Sequence, residues 1–152
     1  MAVGLDEILD SVYRSQKFLR AHLNGIQGDQ WDWKPYSACR SIREILVHWA
    51  EQFAKDDASL HSALQSATPN VAVIQRLMKE AGLRDGARYH QQYLDAPMDS
   101  LFPNGLPVGT VLASLSGEDN YHAGQIAFIR LATDPGWDWV KAVHQSPEST
   151  EG

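Results

Sequence analysis

The sequence predicts an all-α fold, an antiparallel four-helix bundle, on three observations: four segments carry apolar residues at helical spacing, none alternates with period two, and there is no internal repeat. The chain has 152 residues, a length that suits one domain with a single sizeable core. Residues 1–144 are read as that domain, and 145–152 as a short, polar, flexible tail. Hydrophobic residues make up 43% and charged residues 21%, the usage of an ordinary folded protein rather than a disordered one.

The first helix is expected from residue 5 to about 26, where Leu5, Ile8, Leu9, Val12, Leu19, Leu23 and Ile26 form one stripe with no Pro or Gly before Gly25. Residues 25–40 contain two Gly and Pro35 with Trp31 and Trp33, so they read as an irregular connection whose aromatics cover one end of the core. Ser41 and Glu44 have the spacing of a capping box and open a second helix expected to run to about residue 65, carrying Ile42, Ile45, Leu46, Trp49, Phe53, Leu60 and Leu64. Pro69 and Asn70 mark the next turn, and a third helix follows from 71 to about 95, with a bend expected at Gly82 or Gly86. Residues 96–109 hold three Pro and two Gly and are expected to be a non-helical connection. Thr110 is the candidate N-cap of a fourth helix from 111 to about 132, ended by Asp134-Pro135-Gly136. Trp137, Trp139 and Val140 are expected to pack back on the bundle.

Several function classes lack their sequence features. No apolar run approaches the roughly 18 residues of a membrane span. The N-terminus lacks the charged-then-apolar order of a signal peptide, so no membrane partner and a cytoplasmic location are expected. The lone Cys39 cannot form an intramolecular disulfide, no C-x-x-C pair is present, and Cys39 reads as a buried small residue rather than a nucleophile. A net charge of -6 with scattered basic residues disfavours nucleic acid as a partner. G-x-S-x-G, P-loop and G-x-G-x-x-G motifs are missing, and with them the usual serine hydrolase and nucleotide sites.

The fourth helix carries the chemistry. At about 100° per residue, Glu118 and His122 fall on the same face as Val111, Leu115, Ile126 and Ile129, so both are expected to point inward. A carboxylate cannot be buried there without a partner. Either the i, i+4 pair grips a metal ion, or Glu118 and His122 form a hydrogen-bonded pair in a polar core pocket. Gln125, at the edge of the stripe, is placed to orient a ligand by hydrogen bonding. On the second helix His48 stands about 60° from Ile45 and about 100° from Trp49, at the margin of the apolar stripe, and periodicity alone does not select it. Glu51 lies further round and is expected to be exposed. His22, His61 and His144 read as surface histidines, with His90 as a reserve candidate.

Two stretches taken together carry a resemblance. Trp31-Asp32-Trp33-Lys34-Pro35 followed by Ser41-Ile42-Arg43-Glu44-Ile45-Leu46-Val47-His48 resembles the W-x-x-x-P segment and s-I-x-e-i-l-x-H helix of the DinB/YfiT-like family. Tyr121-His122-Ala123-Gly124-Gln125-Ile126, continuing to Arg130, is similar to that family's H-x-G-Q-I element, and the resemblance spans roughly residues 5 to 133. It implies a DinB/YfiT-like four-helix bundle holding one divalent ion, commonly nickel or zinc, near one end. It places His48 and His122 at ligand positions, with Glu118 where many members have a third histidine, and Asp119 as the fallback carboxylate. It further implies a homodimer and a small-molecule substrate, with a metal-dependent hydrolase or a transferase or isomerase using a low-molecular-weight thiol as possible activities. The rival expectation is a non-catalytic, stress-associated or ligand-binding bundle whose polar trio is structural.

Overall fold

A computed structural model describes residues 4–89 and 108–145. The described residues are mostly helical and contain no strand, as expected of an all-α protein. Five helices, α1 (Leu5–Ala21), α2 (Ile42–Phe53), α3 (Ala58–Gln65), α4 (Val71–Gly86) and α5 (Val108–Thr133), are accompanied by a 3-10 turn, Gly28–Gln30, and a π-type turn, Val140–His144. No helix among the described residues is long and apolar enough to cross a membrane.

Helix α1 stops at Ala21, five residues short of the expected end. The N–H groups of His22, Leu23 and Asn24 bond to carbonyls three residues back, tightening the chain into successive turns. Gly25 then takes a φ of 71°, the left-handed conformation that a residue without Cβ adopts at no steric cost. In the connection that follows, Trp31 is buried and Trp33 packs partly against the same core, as expected. Arg43 gathers the region: its guanidinium pairs with Asp32 and donates to the carbonyls of Leu64 and Ser66.

Ser41 caps α2 as expected, its hydroxyl accepting the Glu44 N–H at 3.2 Å. The single second helix expected over 41–65 is two helices. The chain leaves helical geometry at Ala54 (φ −143°, ψ 39°), and Asp57 accepts the Leu60 N–H at 3.0 Å to start α3 afresh. Asp57 also pairs with Arg84 of α4, and the His61 ring bonds the Ala54 carbonyl, so the break is filled by side-chain hydrogen bonds without Gly or Pro.

Asn70 caps α4, which ends at Gly86. Its two glycines allow close packing against α1. A Cβ on Gly82 would overlap the buried Gln16 carboxamide, and one on Gly86 would overlap the Tyr13 ring, both from α1. The expected continuation to residue 95 fails at 87–89, which leave the helix in a turn; His90 and most of the Pro-rich connection lie outside the described residues. Helix α5 begins at Val108, so Gly109 is helical and Thr110 is not its N-cap.

Helix α1 packs on α5 and α4, and α2 touches α3, α4 and α5. The main core joins Leu19, Leu23, Trp31, Ile45, Trp49, Ile74, Met78 and Ile126, and a smaller cluster joins Leu5, Val12, Val111, Leu112 and Leu115. Beyond α5 the chain returns to this body through Trp137 and Trp139. Val143 is the apolar anchor there, whereas Val140, expected to pack, is half exposed. Cys39 is only partly buried.

Candidate metal centre

Helices α2 and α5 bring His48 and His122 together with ring centroids 5.6 Å apart and planes at 76°. His122 is only 2% exposed, and its Nδ1 lies 2.9 Å from Gln125 Oε1. The Gln125 amide nitrogen in turn points at the Tyr121 hydroxyl, which orients the carboxamide. A carboxamide oxygen only accepts, so Nδ1 carries the proton and Nε2 keeps its lone pair. That Nε2 is buried and has no hydrogen-bond partner. Gln125 therefore does what its position on the stripe suggested: it sets the tautomer in which His122 presents a lone pair. His48 is half-buried. Burial, then Arg40 and His122, hold it below the usual histidine range against the opposing pull of Glu51 and Glu118, so it is neutral at pH 7 and able to act as a ligand.

Glu118 is placed differently from expectation. Its side chain is 55% exposed, with Oε2 3.8 Å from His122 Nε2. The inward carboxylate is its neighbour Asp119, which is fully buried. The buried stripe of α5 runs through Leu115, Asp119, His122 and Ile126, stepping four residues and then three where Glu118 would have required three and then four. Both paths satisfy helical spacing, and hydrogen bonding decides between them. Ser15 Oγ donates to Asp119 Oδ2 at 3.0 Å and Trp49 Nε1 to Oδ1 at 3.2 Å, whereas Glu118 has no comparable donors inside. Burial pushes the Asp119 carboxyl up to about 6, against the two hydrogen bonds and Arg20 that lower it; Glu118 raises it further. With both oxygens engaged, Asp119 is committed to the core.

Among the described residues no group of three or more His, Cys, Asp or Glu side chains is placed so that it could hold a metal ion as it stands. Two histidines are in position, one with an orphaned, correctly protonated ring, and the third expected ligand sits beside them on the surface. Glu118 also lines a cavity of about 1070 Å³ between α2, the 54–59 junction, α4 and the start of α5, with Glu51, Phe53, Leu77 and Leu115 among its walls. Two imidazoles thus lie together, and of the three expected ligands only the exposed carboxylate beside them lines this cavity.

His22 is the residue that sequence reasoning misplaced most. It is 1% exposed, at the far end of α1, bonded through both ring nitrogens. Its signal lay in the aromatic residues after α5, of which Trp139 finds in His22 an acceptor for its indole N–H. Among known proteins, no family model, no curated protein and no solved structure matches the chain.

Proposed function

We propose that the chain is an antiparallel four-helix bundle of the DinB/YfiT-like type that binds one divalent cation, nickel or zinc, through His48, His122 and Glu118. The observation that carries this reading is the buried Nε2 of His122, which has no hydrogen-bond partner while Gln125 holds the opposite nitrogen protonated. Leaving a buried ring nitrogen unsatisfied costs about 1–3 kcal/mol, a cost that a metal bond at that atom would offset. His48 supplies a neutral imidazole across a 5.6 Å ring separation. Glu118 is exposed, so packing does not oppose its rotation toward the pair. The ion would act as a Lewis acid, lowering the pKa of a water or of a substrate thiol. The cavity walled by Glu118 and Leu115 is where a small-molecule substrate, including a low-molecular-weight thiol, would approach.

Loading with zinc or nickel, desalting and elemental analysis test the site. About one ion per chain is expected. His122→Ala should lower occupancy at least tenfold with the helices intact, whereas His61→Ala should not change it. An affinity no better than micromolar for the unaltered protein would sink the reading. The surface position of Glu118 would then favour the non-catalytic bundle.

The same reading includes a homodimer formed through α5. Tyr121, Phe128 and Leu131 are exposed at spacings of seven and three, and Gly124 between them has open space where a Cβ would stand. Sedimentation should show a dimer that Phe128→Glu converts to monomer; a monomeric parent protein would remove this part of the reading.

A further inference from the structure

The segment 137–145 lies over the end of α1 and α5 as a strap, and a buried imidazole is among the groups that hold it. His22 Nδ1 lies 2.7 Å from the Phe18 carbonyl, which only accepts, so this nitrogen carries the proton. Nε2 is then the lone-pair nitrogen, and it accepts the Trp139 indole N–H at 3.0 Å. Both bonds require the neutral imidazole in one tautomer. An imidazolium would turn Nε2 into a donor facing another donor, and its second proton would have no acceptor in a site 1% exposed.

The charged surroundings offer an imidazolium no relief. From α5, the buried Arg130 guanidinium donates to the His22 carbonyl at 2.8 Å and covers the Trp137 ring at 4.5 Å. From the strap, His144 packs its ring against Trp139 at 4.7 Å and near Phe18 of α1. Both disfavour a positive charge on His22. Asp134 acts on Arg130, and Asp138 receives the Lys141 N–H at the surface. The 3-10 turn touches α5 through Gln30 and Thr133, and α4 reaches this end through Gln75, which bonds Asn24 and the Arg20 carbonyl; these contacts are uncharged.

We propose that His22 is an acid-sensitive latch: neutral, it bolts the Trp137–His144 strap to the bundle through Trp139, and protonation of Nε2 breaks that bond and lets the strap lift. The strap's other ties include an Asn24 hydrogen bond to the Ala142 carbonyl, the Arg130 guanidinium over the Trp137 ring, the His144 ring near Phe18 and the buried Val143; all lie at this end of the bundle, so opening leaves α1–α5 assembled. The sign follows from burial, which with Arg130 and His144 lowers the pKa of His22 against the Phe18 bond. A released strap binds the proton near the ordinary value and the closed one resists it, so closure is favoured above about 6.5 and lost as the pH falls below it.

The test uses the full chain after treatment with EDTA, so that loss of a metal is not read as release. At pH 7.5, long-range 15N spectra should show His22 protonated on Nδ1 alone. On acidification the Trp139 indole resonance should move with a midpoint below 6.5. Amide exchange in 137–145, corrected for its intrinsic pH dependence, should rise at least about tenfold by pH 5 while helical circular dichroism is unchanged. Trp139→Phe, which keeps the ring packing and removes the donor, should move the His22 midpoint upward. His144→Ala should leave a transition in place. A proton on Nε2 at pH 7.5, a His22 midpoint unmoved in Trp139→Phe, a transition abolished by His144→Ala, or exchange rising equally throughout the helices would each overturn the latch.

Discussion

Asp119→Asn should raise stability at pH 7.5 by about 1–3 kcal/mol, read as the midpoint of urea unfolding. The folded protein holds the Asp119 proton up to about pH 6, whereas the unfolded chain releases it near the ordinary carboxyl value of 3.8. Between those values each rise in pH removes a proton the unfolded chain has already given up, costing the folded state about 3 kcal/mol across the window. Asparagine is never ionised. Its carbonyl can accept the Trp49 N–H, and its amide can donate to Ser15 Oγ, which leaves the single Ser15 hydroxyl proton to the Val12 carbonyl 2.8 Å away. The variant's advantage should vanish near pH 4, where both proteins carry a neutral group. Asp119→Ala should be destabilising by about 2–4 kcal/mol relative to Asn, because it leaves the buried indole N–H unpaired and a void beside it. An Asn variant less stable than the parent at pH 7.5 would show that the ionised carboxylate is better satisfied by its neighbours than this argument holds.

Arg130→Ala should destabilise the protein by about 2–5 kcal/mol, the cost of orphaning two buried carbonyls together with the lost packing of the side chain. The guanidinium is 2% exposed and its Nη1 donates to the carbonyls of His22 and Asn24, at 2.8 and 2.6 Å. These carbonyls sit in the turns that end α1, so Arg130 closes that helix from across the bundle. Burial lowers its pKa to about 10, and it remains charged at pH 7. Alanine would orphan both acceptors and uncover the Trp137 ring. Arg130→Met separates the effects by keeping the aliphatic stem, and should recover only the packing share. A loss below about 1 kcal/mol for Ala would mean that water replaces the guanidinium at both carbonyls.

Periodicity made the helices legible because burying a stripe is what places a helix. The same logic found His122 and Gln125. It failed where a side chain competes with the backbone: Asp57 starts a new helix inside an unbroken apolar pattern, and neither Gly nor Pro signals the break. It also failed between neighbours. Glu118 and Asp119 differ by one position, and choosing the buried one requires the donors on α1 and α2 that only the tertiary structure assembles. His48 was invisible to the stripe because its environment comes from α5 and not from its own helix. His22 looked peripheral since the groups that bury it arrive more than a hundred residues later in the chain.

The two hydrophobic clusters bear on cooperativity. Along α5, Leu115 belongs to the smaller cluster and Ala123 and Ile126 to the larger, with Asp119 between them. Phe53 packs against both and is only partly buried. The fully apolar contact that would fuse them into one unit is thus interrupted at the level where Ser15, Trp49 and Asp119 exchange hydrogen bonds. Such a seam divides a protein into parts that open at different free energies. Among the described residues the cluster of Leu5, Val12, Val111, Leu112 and Leu115 is the smaller, and amide exchange is expected to be faster there than in the core around Trp49.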